Sequence, residues 1–306
     1  MNTSKYTLLV GNYGRTNIGD MLLKHAALQS LSAKNVKVMS PAFGDFPIFT
    51  IGFRSFLLSP LNNWKAYRGI LNAEKIVFGG GGLLNSQNRH SLFIWGSILC
   101  VSLFLNKNVE LMGQSFSSRP KGLLKKLLQK VAKITVRDEF SLHYLKESGI
   151  KASLTNDLAL DLHVEDLKYV FNDLKFAVDL KKLPTNDYVL LNARTYKTLP
   201  DSVYKDLQHW IEESSKVVVF TPFDIADVAF YNKYLNHLDV ILANPTVELY
   251  KNASKIVGMR LHFLLVAKKL RLKFIPLSYA PKVIGMFGSD KCIDLYNYDK
   301  QKNPLI

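Results

Sequence analysis

The chain contains little cysteine, since Cys100 and Cys292 are the only two among 306 residues. They lie far apart and form no Cys-x-x-Cys pair, which argues against a zinc site and favours a reducing compartment.

Long apolar runs are also absent. The longest, residues 92–105, is interrupted by Gly96 and two serines and is shorter than the ~18–20 residues that span a bilayer. Because no basic and apolar leader precedes the first predicted strand, we expect a cytoplasmic protein.

Acidic residues are scarce relative to basic ones, with 25 Asp and Glu against 40 Lys and Arg and a net charge of +15. Such an excess suits an anionic partner. The basic residues are dispersed, however, and neither an aromatic stacking motif nor a helix-turn-helix pattern accompanies them. We therefore expect no nucleic-acid partner.

One basic segment stands out at residues 121–133. At helical spacing its apolar residues share one face, and its lysines share the other. The apolar residues are Leu123, Leu124, Leu127, Leu128 and Val131, and the lysines are Lys121, Lys125, Lys126, Lys130 and Lys133. Two interpretations stay open: a helix packed on the core with solvated lysines, or a basic surface that contacts an anionic membrane.

Glycine-rich turns follow two apolar runs in the first half. Residues 6–10 lead into Gly11-Asn12-Tyr13-Gly14 and Asn17-Ile18-Gly19-Asp20, and residues 75–78 lead into four glycines. A strand, a glycine turn and a helix can cradle a phosphate or sugar, although the spacing is neither the dinucleotide fingerprint nor the P-loop. We expect the turns to line a cleft, with a merely tight turn as the alternative for the glycine run. The expected lining residues are Asn12, Asn17, Gly79, Gly80, Gly81, Gly82 and Gln114.

The segment Gly258-Met259-Arg260-Leu261-His262 places a permanent cation and an imidazole at a predicted strand-to-helix turn. Backbone N–H groups and the helix dipole at such a turn favour a small anion, and the histidine changes charge near neutral pH. The alternative is structural: Arg260 would cap a neighbouring element and His262 would be a satisfied core residue.

These motifs together resemble the polysaccharide pyruvyltransferase family, over roughly residues 7–285. The resemblance rests on the order and spacing of several blocks, above all Met259-Arg260-Leu261-His262 and the Tyr-x-x-Lys block at Tyr279 and Lys282. The other blocks are Asn17-Ile18-Gly19-Asp20, the glycine run with Leu83, Met112-Gly113-Gln114-Ser115, Val136-Arg137-Asp138 with Ser141, and Asp157.

Apolar runs alternate with helical patterns in both halves. Strands are predicted near 6–10, 36–39, 75–78, 109–112 and 133–137, with helices near 20–32, 91–105, 121–131 and 139–148. After a connection around 164–187, strands are predicted at 188–193, 216–220, 239–242, 255–258 and 273–277, with helices between them. Alternation of this kind predicts parallel sheets. We expect two doubly wound, Rossmann-like α/β domains, residues 1–183 and 184–306, facing across a cleft, and the resemblance implies the same glycosyltransferase-B-like pair.

The resemblance implies transfer of a pyruvyl group from phosphoenolpyruvate to a sugar of a cell-surface polysaccharide or its precursor, with a ketal as product. The donor would bind the second domain through Arg194, Arg260, Leu261, His262, Tyr279 and Lys282, and the acceptor would bind the first. His262 would be the general acid or base, and Arg260 would be a catalytic residue as well as a donor-binding one. Asp20 would orient or deprotonate the acceptor hydroxyl, or would be only the N-cap of its helix.

This scheme requires no cofactor besides the co-substrate and no metal. A lipid-linked oligosaccharide acceptor would suit peripheral contact with the inner face of the cytoplasmic membrane. The nearest alternative function is a nucleotide-sugar-dependent glycosyltransferase of the same fold. Against it stands the lack of a clear ribose-binding carboxylate after the second-domain strands, with Glu248 as the one candidate.

Overall fold

The computed structural model describes residues 5–14, 16–32, 35–41, 44–48, 57, 60–85, 89–176, 183–298 and 303–304. The chain forms two compact units. The first comprises Met1–Arg15 and Asp20–Leu162, and the second comprises Thr16–Gly19 and His163–Ile306. The division after Leu162 comes earlier in the sequence than the predicted boundary at 183/184.

The first unit holds, among its described residues, a seven-stranded parallel sheet of order β3-β2-β1-β4-β5-β6-β7. The strands are β1 (Tyr6–Val10), β2 (Val36–Ser40), β3 (Phe46–Pro47), β4 (Ala73–Phe78), β5 (Asn108–Gln114), β6 (Lys133–Val136) and β7 (Ser153–Leu154). The helices are α1 (Ile18–Leu31), α2 (Trp64–Asn72), α3 (Arg89–Phe104), α4 (Gly122–Leu128) and α5 (Glu139–Glu147). A short 3-10 turn follows at Leu158–Leu160.

The second unit holds a six-stranded parallel sheet of order β10-β9-β8-β11-β12-β13 in the part of the chain that is described. Its strands are β8 (Tyr188–Asn192), β9 (Val218–Phe220), β10 (Val240–Leu242), β11 (Ala253–Gly258), β12 (Ile275–Ser278) and β13 (Ile293–Asp294). Its helices are α6 (Val164–Asp173), α7 (Asp201–Glu212), α8 (Ile225–Tyr234), α9 (Val247–Asn252), α10 (Leu261–Lys269) and α11 (Pro281–Phe287).

The central strands form the core of each unit because helices cover both faces of a parallel sheet. In β1, Leu8, Leu9 and Val10 have no exposed surface. In β8, the run from Tyr188 to Leu191 is equally buried, with Leu190 opposite Ile256 of β11. Each sheet reverses its strand order once, at β1/β4 and at β8/β11. Ligands of doubly wound sheets bind at such points, beyond the carboxyl ends of the strands.

The prediction of two Rossmann-like α/β domains is confirmed, but two local expectations are wrong. The predicted connection around 164–187 begins with the helix α6, whose Leu167, Val170 and Phe171 are buried. The ring of Phe171 stacks on Tyr250 of α9 at 6.3 Å. Lysine and aspartate residues on the exposed face of α6 separate its apolar residues in the sequence. For this reason the pattern predicted a connection and not a helix.

The helix predicted over 121–131 is shorter, Gly122–Leu128, and Leu128 is its one buried residue. Leu128 belongs to the hydrophobic core of the first unit, and Leu124, Leu127 and Val131 pack against that core, so the interpretation of a segment packed on the core is confirmed for four of its five apolar residues. Among the described residues, no helix has both the length and the apolar character needed to cross a bilayer.

Candidate anion-binding site

The second unit gathers several predicted residues beyond the carboxyl ends of β8, β11 and β12. Arg194 follows β8, Arg260 and His262 follow β11, and Tyr279 and Lys282 follow β12. Because β8 and β11 are the strands at which the order of this sheet reverses, these side chains lie where a doubly wound sheet binds its ligand.

A buried ion pair organises this end of the sheet. Arg260 Nε lies 2.9 and 2.7 Å from the two carboxylate oxygens of Asp227, and Arg260 Nη2 lies 2.6 Å from Oδ1. The Asp227 side chain has no exposed surface, and that of Arg260 is 9% exposed. Burial raises the pKa of Asp227, while Arg260 and the backbone N–H of Phe223 oppose that shift.

Asn192, at the end of β8, fixes both partners of the pair. Its Nδ2 donates to Asp227 Oδ2 at 3.3 Å and to the carbonyl of Thr221 at 2.9 Å, and its Oδ1 accepts from Arg260 N at 3.2 Å. Asn192 is fully buried. The three side chains therefore tie together the ends of β8, β9 and β11.

This pair limits how Arg260 can contact the expected donor. Asp227 occupies the Nε and Nη2 edge, and Nη1 lies 3.7 Å from Asp224 Oδ2. Asp224 is the N-cap of α8, and Asp227 lies in the first turn of the same helix. Asp227 and Asp224 therefore hold the guanidinium of Arg260 in place. Arg260 contributes its positive charge to the site and does not offer a free hydrogen-bonding edge.

The other two cations of the site, Arg194 and Lys282, lie close to the ring of Tyr279. The Cζ atom of Arg194 lies 5.8 Å from its ring centroid, and the Nζ atom of Lys282 lies 5.6 Å from it. Burial alone would raise the pKa of the Tyr279 hydroxyl, but the positive charges of Lys282, Arg194 and Arg260 outweigh burial and lower that pKa. A lowered pKa in a buried phenol means that the surroundings favour a negative charge at this point.

Arg194 and Lys282 form no ion pair with a carboxylate within the described parts of the chain. Within the described residues, Arg194 Nε donates to the adjacent Thr195 carbonyl at 3.3 Å and to no other acceptor. The side chain of Leu261, by contrast, is buried in the core. What Leu261 offers to a ligand is its backbone N–H at the first turn of α10.

His262 is half-buried in the first turn of α10 and borders the segment Thr16–Gly19 within the second unit. A Cβ atom at Gly19 would lie 2.2 Å from His262 Nδ1, far inside van der Waals contact. The segment is anchored by Ile18 N, which donates to the carbonyl of Phe223 at 2.9 Å. The imidazole can therefore occupy its position only because residue 19 has no side chain.

In the first unit, Asp20 accepts a hydrogen bond from Asn12 Nδ2 at 2.9 Å. The alternative that Asp20 is the N-cap of its helix is wrong, because α1 begins at Ile18. Asn17 occupies the capping position, and its Oδ1 accepts from Gly19 N at 2.8 Å. Asp20 lies instead in the first helical turn, where its negative charge suits the helix dipole.

The glycine run permits close packing at its first two positions. A Cβ at Gly79 would lie 1.7 Å from the Tyr13 hydroxyl, and one at Gly80 would lie 2.9 Å from Leu23 Cδ2. Gly81 has a φ of +112°, which favours glycine, whereas Gly82 has room for a side chain. Close approach therefore explains Gly79 and Gly80, and backbone conformation explains Gly81.

Gln114 is fully buried at the end of β5 and braces the same turn, since its Nε2 donates to the Gly79 carbonyl at 2.6 Å. Its Oε1 and the Tyr13 hydroxyl are buried and lack a hydrogen-bond partner among the described residues. Burial, with a smaller contribution from Asp20, raises the pKa of Tyr13.

The predicted Arg-Asp motif of the first unit forms a buried network. Arg137 Nη1 lies 2.6 Å from Asp157 Oδ2, and Arg137 Nε donates to Ser115 Oγ at 2.7 Å. Ser115 Oγ in turn donates to Asp138 Oδ2, and Asp138 caps α5 through Ser141 N. These contacts join the ends of β5 and β6 and show a structural role for the motif.

Sequence reasoning missed Asp227, Asn192 and the closeness of Gly19 to His262. Two acidic residues three apart at a helix start, Asp224 and Asp227, were the available signal for a carboxylate beside the site. Glu248, the earlier candidate, is largely exposed and lies 3.6 Å from Lys168 Nζ. No group of His, Cys, Asp and Glu suited to a metal occurs in the described part of the chain.

Comparison with solved structures places the fold among enzymes of the glycosyltransferase-B type. The UDP-GlcNAc 2-epimerase of Neisseria meningitidis, solved with UDP-GlcNAc bound, matches with a TM-score of 0.57 at 12% identity, covering 97% of this chain and 88% of the epimerase. The epimerase of Methanocaldococcus jannaschii gives 0.53 at 13% identity, with 98% and 95% covered. Phytolacca americana UGT2, in complex with UDP-2fluoro-glucose and pterostilbene, gives 0.50 at 10% identity, with 92% and 82% covered.

At such identities the likeness shows the fold alone: two parallel-sheet α/β domains of the glycosyltransferase-B class. The family is shown by the sequence itself. Residues 17–281 match the polysaccharide pyruvyl transferase family, and the chain belongs to that family. No curated protein sequence matches the chain.

Asp227→Asn tests the buried pair. The amide keeps the shape but leaves the Arg260 charge unpaired in the core, so we expect the free energy of unfolding to fall by about 3–5 kcal/mol in urea denaturation. Asp224→Asn is the matched control. Its side chain is partly exposed, its contact with Arg260 is longer, and Asn caps a helix as well as Asp does. Equal, small losses in both variants would show that the pair does not organise the site.

Tyr13→Phe tests the unpartnered hydroxyl. Removing a buried polar atom that lacks a partner should leave the free energy of unfolding unchanged or raise it by up to about 1 kcal/mol. Tyr6→Phe is the control in the same unit, because the Tyr6 hydroxyl donates to the Gly69 carbonyl at 2.8 Å and its loss should cost about 1 kcal/mol. A larger loss in Tyr13→Phe than in Tyr6→Phe would mean that the Tyr13 hydroxyl has a bound partner.

Proposed function

We propose that this protein transfers the pyruvyl group of phosphoenolpyruvate to a sugar of a cell-surface polysaccharide or its precursor, forming a ketal. The observation that carries the proposal is the cluster of Arg194, Lys282 and Arg260 around Tyr279, in a chain of the polysaccharide pyruvyl transferase family. Phosphoenolpyruvate enters as co-substrate, and no cofactor is included.

The charge at the cluster suits this donor. Phosphoenolpyruvate carries about three negative charges when its phosphate and carboxylate are ionised. Arg194 and Lys282 would contact it directly, and the α10 N-terminus would add backbone donors. Arg260 would hold its charge at a fixed place, since Asp227 orients it. Each charge-assisted hydrogen bond contributes about 1.5–3 kcal/mol, so a few support micromolar binding.

The reaction begins with protonation of the methylene carbon, which makes C2 electrophilic. A sugar hydroxyl adds to C2 and loses its proton, and the C2–O bond to phosphate then breaks with its electron pair on phosphate. A second hydroxyl closes the ketal at C2. One hydroxyl proton ends on the new methyl group and the other on phosphate, so the transfer needs no oxidant or reductant.

His262 is proposed as the group that delivers or removes these protons, because an imidazole titrates near neutral pH. Gly19 would leave room for its ring, since a Cβ atom there would lie 2.2 Å from His262 Nδ1. On the first unit, Asp20, oriented by Asn12, is proposed to bind the acceptor hydroxyl. The proposed acceptor is lipid-linked, and the protein would meet it at the inner face of an anionic membrane.

Mass spectrometry of the acceptor tests the function. Candidate oligosaccharide acceptors, free and lipid-linked, are incubated with the protein and phosphoenolpyruvate. We expect a product heavier by one pyruvyl ketal, together with released phosphate in equal amount. Addition of a sugar residue from a UDP-sugar, with no product from phosphoenolpyruvate, would instead establish the glycosyltransferase alternative.

His262→Asn should lower turnover about a hundredfold or more while changing phosphoenolpyruvate affinity little, since the amide still forms hydrogen bonds but cannot titrate.

Gly19→Ala should lower turnover through the displaced imidazole. In the His262→Asn background it should then have no further effect. Gly96→Ala is the control, because a Cβ at that helical position meets nothing within 4 Å. Additive losses from Gly19→Ala and His262→Asn would show that Gly19 does not act through the histidine.

Tyr279→Phe should extend phosphoenolpyruvate binding to higher pH. As pH rises through the lowered pKa of Tyr279, the hydroxyl becomes a phenolate whose negative charge opposes a trianion, and affinity falls. Phenylalanine cannot ionise. Calorimetric titrations between neutral and alkaline pH should therefore show that the variant loses phosphoenolpyruvate affinity at a higher pH than the parent chain does. Tyr196→Phe should behave like the parent chain, because burial raises the pKa of Tyr196. Identical alkaline profiles for Tyr279→Phe and the parent would remove Tyr279 from the donor site.

A further inference from the structure

The apolar face of α4 packs on the core of the first unit through Leu124, Leu127 and Leu128, and it leaves Leu123 uncovered. Leu123 is 66% exposed, and Leu124 and Leu127 are half-buried. On the neighbouring helix α3, Phe93 is 47% exposed. Leu57, which lines the same surface groove, is 45% exposed. Single exposed apolar residues are common on soluble proteins, but several adjacent ones mark an interaction surface.

The two helices border an apolar groove with a volume of about 260 Å³. We call it the α3–α4 groove, and its lining includes Leu57, Leu92, Phe93, Cys100, Leu123 and Leu127. Among the described residues, no ionisable side chain other than the Cys100 thiol lines it. The Ser97 hydroxyl is turned away from a ligand by its hydrogen bond to the Phe93 carbonyl. The groove therefore suits hydrocarbon and offers a polar ligand almost no partner.

The surrounding sequence is strongly depleted in acidic residues. Between residues 46 and 137 there are thirteen Lys or Arg but only two acidic residues, Glu74 and Glu110. Glu110 is already paired with Lys75 at 2.9 Å. The four lysines at and beside α4 have no carboxylate partner in the described part of the chain. They are Lys121, Lys125, Lys126 and Lys130.

We propose that the α3–α4 groove and the lysines of α4 dock on the surface of an anionic lipid bilayer. The lysines would attract anionic headgroups while Leu123 and Phe93 enter the boundary of the acyl chains. A symmetric contact with a second copy would set these lysines against the same lysines of the partner, and an anionic bilayer supplies the opposite charge. The inference extends the proposed function, because a lipid-linked acceptor lies at such a surface.

Vesicle sedimentation of the full chain tests the docking surface. Phosphatidylcholine vesicles with and without one quarter phosphatidylglycerol are compared at low and physiological salt. We expect binding to the anionic vesicles only, weakening as salt rises. Lys125→Gln, Lys126→Gln and Lys130→Gln combined should weaken binding by about fivefold for each lysine at the surface. Phe93→Ser and Leu123→Ser should each weaken it by about tenfold.

Matched controls lie on the second unit. Lys205→Gln, Lys251→Gln and Lys273→Gln combined remove the same charge, and Tyr169→Ser removes an aromatic residue that is 67% exposed. Both controls should bind vesicles like the parent chain. The proposal is overturned if the parent fails to sediment with anionic vesicles at low salt, or if the control lysines matter as much as those of α4. It is also overturned if Phe93→Ser and Leu123→Ser change only self-association.

Pyruvyl transfer to a short water-soluble acceptor separates this inference from the proposed function. That activity should be the same in every variant of the groove and in the parent chain. Vesicle binding without pyruvyl transfer in the parent would contradict the proposed function and leave the docking surface standing. Transfer without vesicle binding would contradict the docking surface alone.

Discussion

The buried pair of Arg260 and Asp227 is the interaction on which the candidate site depends. Both charges are removed from water, which is costly unless they are paired and hydrogen-bonded, and here Asn192 contacts the two partners at once. The pair joins the strand ends from which Arg194 and His262 also extend. A site for a small anion gains from this arrangement, because strand ends that are already fixed in the folded protein need not be ordered when the ligand binds.

The same pair limits the net charge of the site. Asp227 cancels the charge of Arg260, so the excess that a trianion would meet comes mainly from Arg194 and Lys282. Both contact the ring of Tyr279, and the lowered pKa of that phenol reports their combined field. A moderate excess is compatible with the proposed reaction, in which a product phosphate would have to leave the site after each transfer. In the second unit, Asp227 positions Arg260, and Tyr279 lies near Arg260, Arg194 and Lys282.

Much of the fold and part of the site follow from local patterns. Apolar runs ending in glycine or charged turns identify the central strands, because parallel strands are buried on both faces. The same patterns locate Arg194, Arg260, Tyr279 and Lys282 at one edge of one sheet. They do not identify Asp227 as the partner of Arg260, because the two residues are thirty-three positions apart in the sequence and two acidic residues at a helix start do not specify which cation they meet. Nor could spacing tell that α4 would expose Leu123, since a helical stripe predicts an apolar face but not what covers it.

The central claim is that the cations around Tyr279 bind phosphoenolpyruvate. The most direct measurement is the melting temperature of the full chain with phosphoenolpyruvate, with UDP-GlcNAc and with neither, repeated for Arg194→Gln. A ligand that binds only the folded state raises the melting temperature in proportion to its affinity and concentration. We expect phosphoenolpyruvate alone to raise it in the parent chain, and to fail to do so in Arg194→Gln. A rise with UDP-GlcNAc and none with phosphoenolpyruvate would contradict the account.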